Sequence, residues 1–262
     1  MIITLKDGST KEFEGPKSIL EIAKGISEGL ARVAMGGELN GQVVDLRTVV
    51  EEDSEVNILT FNDKDGKKVF WHSSSHLLAQ AVKRLYPEAK LAIGPAVDNG
   101  FYYDIDSEVA ITADDLEKIE GEMRKIVKEN LDITRFELPR DEAIKLMAEK
   151  NEDYKVELIN DLPEDSIISF YQQGDFIDLC AGPHLFRTKD MKAVKLMSVA
   201  GAYWRGSEEN KMLTRIYGTS FPKKKDLTEY LERLEEAKKR DHRKLGKELE
   251  LFTMYEEGPG FP

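Results

Sequence analysis

Within its first sixty residues the chain changes hydrophobic period repeatedly, and few folds accommodate that. IITLK, the turn DGS and KEFE read as a hairpin of short strands. PKSILEIAKGIS switches to helical spacing, with Pro16 ahead of it and Ile19, Leu20, Ile22 and Ala23 on one face. ELNGQVVDL and VNILTF return to strand-like runs. This order predicts one mixed sheet with a helix packed on it over residues 1–62. The polar, glycine-containing NDKDGKK, residues 62–68, reads as a linker.

Residues 69–224 read as a larger α+β unit. FWHSSSHLLAQAVKRLYP predicts a helix ended by Pro87, and FYYDID a strand. In ADDLEKIEGEMRKIVKEN the residues Leu116, Ile119, Met123 and Ile126 recur at helical spacing. RFELPR is strand-like and RDEAIKLMAEK helical, and the stretches from ISFYQQGDFIDLC to RIYGTSF are rich in strand signals. Residues 225–251 predict one long charged helix with a thin apolar seam of Leu227, Tyr230, Leu231, Leu234 and Ala237. The final GPGFP has no capping element after it, so the chain reads as a fragment. The expected fold class is α+β.

Composition narrows the function classes. A net charge of −12 opposes nonspecific coating of nucleic acid, which needs lysine and arginine to neutralise phosphates. A local basic excess near Lys223–Lys247 reads first as a solvated helix face. The single cysteine, Cys180, cannot form an internal disulfide, so a secreted disulfide scaffold is excluded and a reducing cytoplasm is favoured. MIITLKDGST lacks the basic region and apolar core of a signal peptide, and no apolar run approaches the length of a membrane span.

The chemistry concentrates in two short motifs. Of four histidines, HSSSH holds His72 and His76 and CAGPH holds His184, four residues after Cys180. On a helix, His72 and His76 share one face a turn apart. Gly182 and Pro183 make the second spacing a tight loop. His72, His76, Cys180 and His184 have the donor types of a zinc site. Read alone, a His-x-x-x-His pair is a weak signal and a lone cysteine is most often a small buried hydrophobe. Ser73 stands where a His-Glu-x-x-His peptidase needs its glutamate, which argues against a peptidase. A metal-free cluster of proton-handling imidazoles is the other reading. Asp178 is expected on the same side of a strand as Cys180, where it can orient a histidine or bind a substrate ammonium. Lys155, in NEDYK, reads as a surface lysine. Tyr102 and Tyr103, after the loop GPAVDNG, read first as core packing and second as a stacking surface.

HSSSH, GPAVDNGFYYD, YK, DFIDLCAGPH and AGAYWRG with RIYGTSF, in this order, resemble the N-terminal half of bacterial-type threonyl-tRNA synthetases. The resemblance implies a TGS domain of β-grasp fold at residues 1–62. It implies an editing domain, shared with alanyl-tRNA synthetase, at 63–224, and a linker helix leading into a class II catalytic domain at 225–262. That catalytic domain, with its ATP and catalytic zinc, would follow. The resemblance implies tRNA for threonine, mischarged with serine, as the partner, a cytoplasmic setting and no membrane. It implies a homodimeric full-length ligase that joins threonine to its tRNA, and a fragment that stands as a monomer.

An editing function has its own physical logic. Serine is threonine less a methyl, and one methylene is worth only about 1–3 kcal/mol of discrimination. A second site that excludes the methyl and hydrolyses what fits supplies the rest. The resemblance places His72, His76, Lys155, Asp178, Cys180 and His184 in the hydrolytic centre and Tyr103 beside the substrate. Zinc at the quartet stays open. The competing expectation is a tRNA-binding module whose His/Cys cluster holds a structural zinc and catalyses nothing.

Overall fold

The first strands assemble around a short helix whose start the sequence encodes locally. The computed structural model describes residues 1–240; His242 and the 241–251 end of the expected long helix lie outside the described residues. β1 (Ile2–Thr4) and β2 (Thr10–Glu12) form the predicted hairpin. Its turn uses Gly8 at φ +82° and an Asp7 carboxylate that accepts from Ser9. β3 (Lys17–Ser18) leads into α1 (Ile19–Ile26), where Ser18 and Glu21 make a reciprocal capping box. Capping therefore falls to Ser18 rather than to Pro16. α2 (Glu28–Val33) buries none of its side chains. β4 (Ala34–Leu39), β5 (Gln42–Val44), β6 (Val49–Val50) and β7 (Ser54–Thr60) complete this region.

The strand order is β2-β1-β7-β4-β5, with β1 and β7 parallel and the other pairs antiparallel. This is the β-grasp arrangement: the last strand enters beside the first, and α1 lies on the sheet. Ile19, Ile22 and Ala23 are fully buried with Ile3 and Val56, and Ile58 packs in the same cluster. Burying each such side chain contributes roughly 1.5–3 kcal/mol.

The expected linker runs into the first turn of a helix instead. α3 (Lys64–Leu85) begins inside NDKDGKK, so its first turn carries the Asp, Gly and Lys that read as a loop. Asp63 accepts from the Thr60 N–H and hydroxyl. A Cβ on Gly66 would lie 1.9 Å from the Thr60 carbonyl oxygen, so only glycine lets the helix start against the end of β7. From Val69 to Val82 nearly every α3 side chain is buried, because other elements cover the helix on several sides.

β8 (Lys90–Leu91), β9 (Ala96–Val97), β10 (Gly100–Asp106), β14 (Ala193–Tyr203) and β15 (Met212–Phe221) make one antiparallel sheet over α3, in the order β14-β15-β10-β8 with β9 added to β10. α4 (Leu116–Glu129) packs beside α3 through Leu116, Ile119, Met123 and Ile126, the face the sequence predicted. β11 (Ile133–Leu138), β12 (Ile168–Gln173) and β13 (Phe176–Leu179) form a three-stranded sheet. α5 (Arg140–Glu149) and α6 (Asp153–Asp161) share a core of Ala143, Met147 and Ile159 with Ile168 and Phe170 of β12. The whole is α+β.

Residues 1–222 form one compact unit. α7 (Lys224–Lys239) belongs to a second, and its charges pair along its own surface, as Lys225 does with Glu229. Among the described residues no helix is long and apolar enough to cross a membrane.

Candidate functional site

α3 supplies the first half of the site. Its periodicity sets the His72 and His76 ring centroids 5.3 Å apart, edge to face. The three serines between them are fully buried. Ser73 and Ser74 return their hydroxyl protons to carbonyls four residues back, at Val69 and Phe70. Ser74 also meets the Ser220 hydroxyl of β15 at 2.7 Å, and Ser75 donates to the Gly94 carbonyl. Small polar side chains thus give the helix a narrow waist into which two other segments press.

One of those segments is CAGPH, which follows β13. The Cys180 sulfur lies 3.3 Å from His72 Nε2 and 3.2 Å from His184 Nε2, across 108 residues of sequence in the first case. The His184 ring centroid is 4.2 Å from those of both His72 and His76. All four predicted donor groups therefore converge within 4.8 Å of one another.

The hydrogen bonds assign protons. Ser73 gives its single proton to Val69 and accepts from the Leu185 N–H at 2.8 Å, so at 3.1 Å it accepts from His184 Nδ1 as well. His184 Nε2 is then a lone pair facing the sulfur. His72 Nε2 faces the Cys180 sulfur from the other side, and a neutral imidazole keeps one acceptor nitrogen.

Burial keeps these groups neutral. It pushes His72 down to about 4 and His76 down to about 3, against a partial offset from the Asp178 charge. His184 is held well below the usual imidazole range by the same cause. Burial pushes the Cys180 thiol up to about 12. At neutral pH the cluster holds three uncharged imidazoles and a protonated thiol.

Charge enters from α6 and β13. Lys155 and Asp178 are 3% and 1% exposed, and Lys155 Nζ lies 2.6 Å from Asp178 Oδ1. Burial raises the Asp178 carboxyl, but the Lys155 ammonium beside it and the hydrogen bonds from Lys155 and Tyr103 outweigh it and hold the group below the usual carboxylate range. The Tyr103 hydroxyl donates to Asp178 Oδ2 at 2.5 Å and accepts from Lys155 Nζ at 3.0 Å. His76 Nε2 stands 3.5 Å from the same oxygen.

One expectation needs correcting. Lys155 is no surface residue, because α6 turns it inward onto a carboxylate encoded 23 positions later, which local sequence does not reveal. Tyr103 takes the first of its two readings: its ring is fully buried in the core, which leaves no face for stacking, and its hydroxyl reaches the cluster. Sequence reading also missed Ser73 as a partner of His184, although its place inside HSSSH was a usable signal. It missed Asp45 and Tyr171 as well. Asp45 accepts from the His184 N–H at 2.8 Å and from the Tyr171 hydroxyl at 2.6 Å, and nothing in NGQVVDL marks it.

A groove of about 360 Å³ ends on His72, between Val43, Val69, Pro95, Ala96, Gly182 and Pro183. A second opening of about 600 Å³ reaches Cys180 past Leu158, Leu162, Ile167 and Leu179. The quartet could hold a metal ion: its mixed nitrogen and sulfur donors suit zinc, and the two Sγ···Nε2 distances are near the edge lengths of a tetrahedral site. His76 is the poorest donor of the four, since its Nε2 is turned toward Asp178.

Residues 1–60 match the TGS domain family, and residues 168–217 match the threonyl and alanyl tRNA synthetase second additional domain. The chain is 67% identical over 260 residues, 99% of its length, to a threonine--tRNA ligase of Clostridioides difficile (strain 630). It is 65% identical over 260 residues to the threonine--tRNA ligase of Acetivibrio thermocellus, and 63% identical over 262 residues to that of Caldanaerobacter subterraneus subsp. tengcongensis. These alignments cover 99% and 100% of the chain. In each case the chain spans only 41% of the relative's length.

Proposed function

We propose that this chain, the part of a threonyl-tRNA synthetase that carries the TGS and second additional domains, hydrolyses serine from tRNA that bears it in place of threonine. The observation that carries the reading is the convergence of a neutral, partly exposed His72 with a buried ammonium, Lys155, on one small cluster at the end of a groove. The domain boundaries read from the sequence, 1–62, 63–224 and 225–262, belong to the same proposal.

Ester hydrolysis needs a base for water, a stabiliser for the tetrahedral oxyanion and a proton for the departing ribose hydroxyl. His72 stays unprotonated at neutral pH and keeps one acceptor nitrogen, so it can take a proton from water or from a ribose hydroxyl. Lys155 supplies positive charge where water is largely excluded, and Asp178 keeps that charge in place. Cys180 is held as a thiol; it acts as a weak donor beside the imidazoles rather than as a nucleophile. His76 and His184 lie buried behind His72 and Cys180, where they pack the cluster and set the positions of those two groups. Tyr103 orients Asp178 and Lys155 through its hydroxyl. Selectivity in this reading requires that the bound ester's pocket have no room for the extra methyl of threonine.

If zinc were bound, His72, Cys180 and His184 would hold it most readily, and it would supply a Lewis acid and a more acidic bound water. The second reading, a tRNA-binding module with a structural zinc, draws on that donor set alone. The whole ligase would join threonine to tRNA with ATP and a catalytic zinc in segments beyond this chain, as a cytoplasmic homodimer.

The test is a paired assay with seryl-tRNA and threonyl-tRNA, both specific for threonine. Serine is released faster than threonine, and His72→Ala and Cys180→Ala lose that release while keeping the fold. Equal hydrolysis of both esters defeats the proposal.

A further inference from the structure

We infer that Asp45, a residue of the β-grasp region, is a positioning residue for His184, so that this region completes the hydrolytic site instead of merely adjoining it. The activity arm of the test rests on the proposed hydrolysis; the structural arm does not.

Asp45 follows β5 and reaches across 139 residues of sequence to the CAGPH loop. Its two carboxylate oxygens are divided between two jobs. Oδ1 accepts the backbone N–H of His184, and Oδ2 accepts the hydroxyl of Tyr171. The Tyr171 ring in turn lies 4.3 Å from the His184 ring, centroid to centroid. One carboxylate therefore fixes both the backbone that carries the imidazole and the aromatic wall it rests on.

The grip has a second point. Two residues on, Arg47 donates to the Ile133 carbonyl at 3.2 Å and to the Phe186 carbonyl at 3.4 Å, and its guanidinium lies 3.6 Å from the Phe186 ring centre. The segment 45–47 thus holds the loop at His184 and again at Phe186. On the α3 side His184 Nδ1 meets Ser73, and its Nε2 faces the Cys180 sulfur at 3.2 Å. Without Asp45 the backbone N–H of His184 loses its partner, and the imidazole gains freedom relative to Cys180. Misplacement of a catalytic group by about 1 Å costs on the order of 100-fold in rate.

The experiment uses the full 262-residue chain. Asp45→Ala lowers kcat for serine release from seryl-tRNA about 10- to 100-fold, with KM changed by less than about 2-fold, because Asp45 lines neither the groove at His72 nor the opening at Cys180. Asp45→Asn restores kcat to within about 3-fold of wild type, since its amide oxygen accepts from His184 and its amide N–H donates to the Tyr171 oxygen. The ¹⁵N resonances of the His184 ring shift in Asp45→Ala and return in Asp45→Asn. Wild-type kcat together with unshifted ring resonances in Asp45→Ala overturns the inference, and so does a loss carried only in KM. If Asp45→Ala does not fold, Tyr171→Phe decides: it removes one of the carboxylate's two partners, so kcat falls by less and the ring shifts the same way, and an unchanged ring overturns. Should the wild-type chain release no serine, the proposed hydrolysis fails and the resonance comparison still decides the role of Asp45.

Discussion

Lys155 and Asp178 form an ion pair of 2.6 Å in which neither side chain is more than 4% exposed. Such a pair is costly to break from one side, because the remaining charge stays buried without compensation. Lys155→Met is expected to destabilise the fold by about 3–5 kcal/mol and to abolish serine release. The double variant Lys155→Met, Asp178→Leu recovers part of that stability and none of the activity. Urea unfolding and the deacylation assay, run on the same preparations, separate the two effects.

Stability depends on pH with a definite sign. His72 and His76 have folded values of about 4 and about 3 against an ordinary 6.5, so the unfolded chain binds protons there first. Their contribution is complete above pH 6.5 and is lost as pH falls toward 4, by on the order of a few kcal/mol. Cys180 acts in the opposite direction: its thiol is raised to about 12 from 9.0, so stability falls as pH rises above 9. Urea midpoints measured from pH 4 to 10 should trace a plateau with losses at both ends. A midpoint that holds steady down to pH 4 contradicts neutral burial of the imidazoles.

Gly182→Ala should damage the CAGPH loop twice over. Its φ of +76° is strained for any side chain, and a new Cβ would lie 2.0 Å from the Tyr171 hydroxyl oxygen. The expected loss is about 2–4 kcal/mol, with serine release falling as His184 is displaced. Thermal unfolding and the assay together check it, and a stability change below about 0.5 kcal/mol contradicts the close approach.

Ser73→Ala leaves the Leu185 N–H and His184 Nδ1 without their buried partner. The expected cost is about 1–3 kcal/mol of stability. His184 then loses its assigned tautomer, so ring-nitrogen spectra of the variant should show a mixture of the two neutral forms. A single unchanged form contradicts the proton assignment.

Removal of metal discriminates between the readings. With His72 as the proton acceptor and Lys155 as the charge, serine release keeps its rate after treatment with a zinc chelator. Loss of rate that zinc restores supports a catalytic ion, and unfolding by the chelator supports a structural one. Elemental content and circular dichroism accompany the assay.

Local physics made much of this molecule readable. The one-turn spacing of His72 and His76, the α4 face of Leu116, Ile119, Met123 and Ile126, and the hairpin at Gly8 each follow from backbone periods that the next few residues set. Where local composition and tertiary contact disagreed, contact won. NDKDGKK has the residues of a linker, yet Gly66 lets α3 begin against Thr60, because packing supplies what helix propensity lacks. The meeting of Cys180 with His72, the turning of Lys155 onto Asp178 and the reach of Asp45 to His184 join residues 23 to 139 positions apart. Sequence order carries no direct term for those contacts. Enclosure by the surrounding elements makes the imidazoles neutral and the thiol a thiol, and enclosure belongs to the folded chain as a whole.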